Sequence, residues 1–163
     1  MSPRPASFPE LVAQLDYAMF IVTTAAGDER AGCLIGFASQ VSIHPPRFLA
    51  CLSDKNHTFR VARRASVLAV HFVTAEATEL AELFGGETGD ALDKFERVEW
   101  RPGPEGVPIL TALENWFAGR IIERIDFGDH WGFLLEPIEG QAGQADSQLT
   151  FHRAKRIEPG HEP

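Results

Sequence analysis

Short runs of apolar and β-branched residues, separated by turn residues and brief helical patterns, dominate this sequence. Clear examples are "AMFIVTTA" (18–25), "RFLACLS" (47–53) and "SVLAVHFV" (66–73). Such runs predict strands. Because the strands do not alternate strictly with helices, a doubly wound parallel sheet is disfavoured. The pattern favours a mainly β fold, a closed or half-closed antiparallel barrel of about six or seven strands with two or three short helices.

Longer extended segments complete the predicted barrel. "AGCLIGFASQVSI" (31–43) is predicted as one extended segment, in which Gly32 and Gly36 indicate either a bulge or a close approach to the backbone. Two more strands and a last short strand are predicted at "NWFAGRIIERIDF" (115–127), "HWGFLLEPIEGQ" (130–141) and "QLTFHR" (148–153).

Helical patterns are few and brief. Ser7 is the predicted cap of a first helix in which Leu11, Val12 and Leu15 share a face. Thr74 is the predicted cap of the clearest helix, which Gly85 ends. The remaining assignments are a short helix covering a barrel end in "HTFRVARRAS" (57–66), a helical piece in "GDALDKFERVEW" (89–100) and a loop in "RPGPEGVPIL" (101–110).

Length and charge restrict the class of protein. The chain has 163 residues, of which 44% are hydrophobic, and this predicts one domain with loose termini at about 1–6 and 157–163. A net charge of −8 disfavours nucleic acid and anionic membranes as partners. Without an apolar span or a signal-peptide pattern, a cytoplasmic location is expected, with Cys33 and Cys51 as free thiols.

The familiar motifs of catalysis are missing from the sequence. It has no GxGxxG after a strand, no Walker loop, no HExxH and no GxSxG. Its six histidines are scattered, and none pairs with another at ligand spacing. No metal site is therefore predicted.

Three stretches could carry chemistry, and each has a purely structural alternative. "GCLIGFASQVSIHPP" (32–46) could present backbone and polar groups to a ligand, or be an edge strand with polar outward positions. "SDKNHTF" (53–59) could hold a phosphate at a helix start, or simply cap that helix. "GDH" (128–130) could present His130 to a site, or be an ordinary turn before a strand.

In their order and spacing, these stretches resemble the flavin reductase-like family of FMN-binding split barrels. The resemblance runs from about Tyr17 to Phe151. It rests on four segments: "IVTTAAGDERAGCLIGFASQVSIHPP", "FLACLSDKNHTF", "ELAELFGG" followed by "DKF", and "VPILTALENWFAGRIIERIDFGDH".

The resemblance implies a fold, an activity and a set of site residues. It implies an antiparallel, Greek-key-like split β-barrel that forms a homodimer, binds FMN or FAD near the subunit interface and reduces it with NAD(P)H. The reduced flavin could be supplied to a partner monooxygenase. By position, the flavin ring would lie along Leu34, Ile35, Gly36 and Phe37, the ribityl and phosphate groups would meet Ser39, Gln40, Ser53, Lys55, Asn56 and Thr58, and His130 would stand near the reactive edge.

Two alternatives share this fold. One is a non-catalytic domain that binds a flavin, a deazaflavin or haem and passes it to a partner. The other is an oxidase or nitroreductase, whose chemistry is close to that of a flavin reductase. Fold resemblance alone does not decide among them.

Overall fold

Seven antiparallel strands form one sheet in the structure, a computed structural model that describes residues 2–86, 93–144 and 146–156. Its strands are β1 (Phe20–Ala26), β2 (Glu29–Ile35), β3 (Ala38–Ser42), β4 (Arg47–Ser53), β5 (Val67–Phe72), β8 (Trp116–Asp126) and β9 (His130–Gln141). Their order across the sheet is β2-β1-β5-β8-β9-β4-β3. A separate ribbon pairs β6 (Trp100–Pro102) with β7 (Pro108–Leu110).

The sheet cannot be flat, because its two edge strands are consecutive in the chain. Only Gly36 and Phe37 separate the end of β2 from the start of β3. Seven flat strands would hold their edges roughly 29 Å apart, at about 4.8 Å per strand. Three Cα–Cα steps span about 11 Å at most. The sheet therefore curls until its edges approach each other, which confirms the predicted antiparallel split barrel.

The curled sheet has a core on each face. Successive residues of β1 enter different clusters: Val22 packs inside the barrel with Leu52, Leu68 and Phe133, while Ile21 packs outside with Phe84. This alternation follows from the two-residue period of a strand. Because both faces of β1 are covered, its sequence lacks the alternation of apolar and exposed polar residues, and its two threonines are buried as well.

Helices cover the barrel rather than separating its strands. They are α1 (Phe8–Val12), α2 (His57–Ala62), α3 (Thr78–Gly86) and α4 (Phe151–Ala154). Asn56 caps α2, whose Phe59 and Ala62 reach the barrel interior, so this helix covers an end of the barrel as predicted. Single 3₁₀ turns lie at Lys94–Glu96 and Pro104–Gly106.

Several boundaries differ from the sequence prediction. The segment 31–43 is two strands, since the chain leaves the sheet at Gly36 and Phe37. The prediction that Thr74 caps a helix is wrong: it forms an isolated bridge with Gln148, and α3 begins at Thr78 and continues through Gly85. Ser7 does cap α1, although Leu11 remains exposed.

Two further assignments were incomplete. The predicted loop 101–110 contains two of the three residues of β6 and the whole of β7, and these two strands hydrogen bond to each other. The predicted last strand 148–153 makes only isolated bridges before α4 begins, because the chain turns away after Thr150. Of the predicted helical piece 89–100, residues 89–92 lie outside the described residues, as do 1 and 157–163 of the predicted loose termini. Single-domain organisation stays a prediction.

Candidate functional site

A cleft of about 240 Å³ opens where the two edges of the barrel approach each other. It gathers residues from the end of β2, the β2–β3 link, the end of β4, the turn after it and the start of β9. The segment just before β1 and the start of α4 complete the lining. The lining residues are Tyr17, Met19, Cys33, Leu34, Ile35, Gly36, Phe37, Cys51, Ser53, Asn56, His130 and Phe151.

The β2–β3 link forms one wall of the cleft. Its backbone is tied to β4, because the Phe37 carbonyl accepts a hydrogen bond from the Cys51 N–H at 2.9 Å. A Cβ atom on Gly36 would lie 2.6 Å from the Tyr17 ring and 3.0 Å from Met19 Sδ. The close approach suggested by this glycine is therefore real, and the approaching groups are side chains of the same chain. The Phe37 residue remains 55% exposed at the mouth of the cleft.

The turn after β4 supplies polar groups at one end of the cleft. Ser53 Oγ accepts a hydrogen bond from the Lys55 N–H at 3.3 Å, and Asn56 Oδ1 accepts one from the Thr58 N–H at 2.8 Å. Asn56 therefore caps α2 and also lines the cleft. The two interpretations of "SDKNHTF", a helix cap and a ligand site, are compatible, because Asn56 caps the helix and also faces the cleft.

His130 begins β9 directly opposite Ser53 in the register of β4 and β9. The Asp54 N–H donates to the Asp129 carbonyl at 2.9 Å, which joins the two turns. His130 Nδ1 lies 2.8 Å from Asp129 Oδ1, and the imidazole ring lies 5.0 Å from the Phe37 ring. The hydrogen bond to His130 holds the pKa of the Asp129 carboxyl below its usual value.

Seven of the eleven predicted site residues line this cleft: Leu34, Ile35, Gly36, Phe37, Ser53, Asn56 and His130. The other four do not. Ser39 and Gln40 are exposed on β3, where their side chains hydrogen bond to backbone carbonyls of the same strand. Thr58 is only 1% exposed, buried beneath the turn, and Lys55 lies on the exposed side of that turn. The ligand contacts of all eleven stay predictions.

Sequence reasoning missed the aromatic wall at the far end of the cleft. Tyr17 precedes β1 and Phe151 begins α4, yet their rings stack at 4.9 Å and the Phe151 N–H donates to the Tyr17 carbonyl at 2.8 Å. In the sequence, their only signal is an aromatic residue just before the first strand of the barrel and another one after the last strand, neither with an assigned role. Their proximity results from folding.

Both cysteines line the cleft as free thiols, as predicted. Burial raises the pKa of Cys33 and of Cys51, so both remain protonated at neutral pH. Neither thiol has the character of an activated nucleophile.

The described residues hold no cluster of three or more His, Cys, Asp or Glu side chains that could bind a metal ion. Within the same residues, no helix is long and apolar enough to cross a membrane.

A half-open antiparallel barrel, with a mainly apolar cleft that is polar at one end, is the architecture of a protein that holds a flat organic cofactor at its rim. Residues 12–159 match the family described as "Flavin reductase like domain", and the chain belongs to this family. This membership confirms the expected type of enzyme, one that reduces flavin with a nicotinamide cofactor.

Relatives extend over nearly the whole chain. "FMN reductase (NADH) RutF 2" of Methylorubrum extorquens is 31% identical, over 94% of this chain and 90% of that protein. The "4-hydroxyphenylacetate 3-monooxygenase reductase component" of Pseudomonas aeruginosa is 28% identical, over 94% and 92%. The crystal structure of a flavin reductase domain protein from Arthrobacter sp. FB24 superimposes with a TM-score of 0.81, at 25% identity over 90% of this chain and 89% of that chain.

Proposed function

We propose that this enzyme transfers a hydride from NADH to FMN, with the isoalloxazine ring held in the cleft. One observation carries the proposal: the cleft brings together the β2–β3 link, the β4 turn and His130, three stretches far apart in the sequence.

The residues of the cleft fit a flavin. A tricyclic ring needs flat apolar contacts, which Leu34, Ile35 and Phe37 offer along one wall. Its polar edge and ribityl chain need hydrogen-bonding partners, which Ser53 and Asn56 offer at one end. When bound, the flavin supplies the hydride-accepting chemistry, and the protein supplies binding, orientation and exclusion of water.

The turn after β4 is our proposed phosphate site. Lys55 brings a positive charge to an otherwise acidic protein, beside the hydroxyl of Ser53 and the amide of Asn56. A phosphate group would be attracted to this combination. We do not assign a ligand contact to the side chain of Thr58, because burial removes it from the cleft.

His130 is the proposed contact to the reactive edge of the flavin or to the nicotinamide. Its imidazole lines the cleft against Phe37, with the side chain still 27% exposed. A group at this place can hydrogen bond to an amide or balance developing negative charge. Hydride transfer itself requires no acid, so the proposed role is binding and orientation.

The choice of FMN, of NADH and of a monooxygenase as the consumer of reduced flavin rests on the relatives. One is named an FMN reductase (NADH), and another is named the reductase component of a monooxygenase. We extend these names to the present chain as a proposal.

We further propose that the enzyme is a homodimer. Val41 on β3 and Ile43 just after it are 51% and 67% exposed, and β3 is an edge of the sheet. Unpaired strand edges with apolar side chains favour association, and two-fold dimers are its commonest form.

The test begins with the absorbance spectrum of the purified protein, followed by oxidation of NADH and NADPH with no flavin, FMN, FAD or riboflavin added. We expect the fastest oxidation with NADH and FMN. Bound flavin with no oxidation of either nicotinamide would favour the non-catalytic alternative. Oxidation that is equally fast without any flavin would contradict the proposal.

A further inference from the structure

Asp129 has no role in the function proposed above, yet it makes the strongest polar contact of the cleft histidine. Its Oδ1 lies 2.8 Å from His130 Nδ1. The Asp129 side chain is largely exposed. Exposed pairs of this kind contribute little to stability. Stabilisation of the fold therefore does not account for this hydrogen bond.

The backbone around Asp129 is held by three hydrogen bonds. The Asp54 N–H donates to the Asp129 carbonyl at 2.9 Å, and the Phe127 N–H donates to the His130 carbonyl at 3.0 Å. Asp126 Oδ1 accepts from the Gly128 N–H at 2.9 Å, across a glycine with φ of +134°. A turn fixed in this way presents the carboxylate to the imidazole in one geometry.

The proton in this contact lies on the histidine. The hydrogen bond to His130 and the electrostatic effect of the same side chain, with a smaller contribution from the Lys55 charge, lower the pKa of the Asp129 carboxyl, so the group is ionised and can only accept. Nδ1 must then donate. In a neutral imidazole with its proton on Nδ1, Nε2 carries the lone pair and accepts.

We propose that Asp129 is a positioning residue, which fixes His130 in the Nδ1–H tautomer and offers Nε2 to the cleft as a hydrogen-bond acceptor. The ligand group that matches Nε2 is an N–H donor, such as a carboxamide or a ring imide. This inference rests on the proposed function, since a nicotinamide and a flavin each carry such a group. Asp129 itself does not line the cleft and would act only through His130.

The first test reads the tautomer directly and does not depend on activity. Nitrogen-15 NMR of the His130 ring in the wild-type protein should show a protonated Nδ1 and an unprotonated Nε2 at pH 8. Asp129→Ala should shift the population toward the Nε2–H form that free histidine prefers. Asp129→Asn should largely retain the Nδ1–H form, because its amide oxygen can still accept.

The second test is kinetic, with a matched control in the same turn. Asp129→Ala should lower kcat/KM for the nicotinamide about tenfold, the size expected for one lost hydrogen bond, and Asp129→Asn should restore most of it. Asp126→Asn removes the same charge from the same turn and keeps the acceptor for Gly128, so its kcat/KM should match wild type.

The outcomes separate this inference from the proposed function. A wild-type His130 that carries its proton on Nε2 overturns the inference, and so does an Asp129→Ala variant with wild-type kcat/KM. A wild-type protein that oxidises no nicotinamide with any flavin overturns the proposed function instead. In that case the NMR comparison still decides whether Asp129 holds His130.

Discussion

His130 and His71 lie in the same sheet, and their surroundings give them opposite roles. His130 begins β9 at an open cleft, with one ring nitrogen held by Asp129. His71 is fully buried in β5, where Nδ1 lies 3.0 Å from the Ile21 carbonyl and Nε2 accepts from the Leu110 N–H at 3.0 Å. The sequence singled out the first of these histidines from its turn. It could not show the second's partners, which lie 50 and 39 residues away.

Replacing His130 with alanine should slow the reaction and leave the fold intact. We expect flavin reduction to slow, or KM for the nicotinamide to rise, by roughly ten- to hundredfold for one positioned polar contact. The melting temperature should hardly change, because the residue adds little to the core. Stopped-flow reduction and thermal unfolding measure the two effects.

The control for His130 is His44→Ala, which removes an exposed histidine from the turn after β3. It should leave both measurements unchanged. Wild-type kinetics in His130→Ala, together with a large drop in melting temperature, would assign His130 to the turn alone.

The buried imidazole of His71 should make stability depend on pH. Burial lowers its pKa from 6.5 to about 4, so the unfolded chain binds the proton more tightly than the folded protein does. Its contribution is complete above pH 6.5 and is lost as pH falls toward 4. The loss between pH 7 and pH 4 is about 3 kcal/mol.

His71→Asn isolates this contribution, because an amide offers a donor and an acceptor but does not titrate in this range. Urea unfolding at pH 7 and pH 4 should show a smaller pH-dependent loss in the variant than in wild type. An equal loss in both proteins would show that other groups dominate the acid sensitivity.

At the scale of elements, the sequence predicted strands better than it predicted where helices begin. The bounds of β4 and β9 agree with "RFLACLS" and "HWGFLLEPIEGQ" because turn residues flank both runs. The sequence predicts a cap at Thr74, four residues before α3 begins at Thr78, because a threonine before a helical pattern is a good cap by local rules. Its backbone instead pairs with Gln148, a partner that local rules do not include.

The turn between β4 and α2 should distinguish flavins by their phosphate. Lys55→Ala should weaken FMN binding by about tenfold and leave riboflavin binding nearly unchanged, since riboflavin lacks the phosphate that the lysine would attract. Fluorescence titration of both ligands measures the difference. Arg120→Ala, which removes one positive charge from an exposed position on β8, should affect neither. Equal losses for FMN and riboflavin in Lys55→Ala would place the phosphate elsewhere.

At the scale of the whole molecule, the sequence predicts the order of the elements along the chain. It does not show which distant segments come into contact in the folded protein. Residues of the β2–β3 link were recognised as a candidate wall, and seven of the eleven named residues line one cleft. Tyr17 and Phe151 escaped notice, because their stacking depends on two chain ends that meet only in the folded barrel. Ser39 and Gln40 do not line the cleft, because a polar residue on an edge strand need not face it, and their ligand contacts stay a prediction.

We expect the exposed edge strand β3 to form the interface of the proposed dimer. Val41→Lys combined with Ile43→Lys should convert the expected dimer into a monomer, because two charges would be buried without partners at the edge. Light scattering at micromolar concentration measures the mass. Thr111→Lys with Ala112→Lys, which adds the same charges at exposed positions after β7, should leave the dimer intact. A wild-type monomer at this concentration would contradict the proposed dimer.

The stacking of Tyr17 on Phe151 has a consequence for how the enzyme is made. The β2–β3 link emerges from the ribosome well before His130 and Phe151. Until those residues leave the exit tunnel, Ala18 lacks its bridge to Thr150 and the cleft has only part of its lining. A nascent chain that has not yet exposed Phe151 therefore lacks part of the cleft that would hold a cofactor. A stop codon at Gln148 would yield a chain that keeps β1 to β9 but has an incomplete binding site.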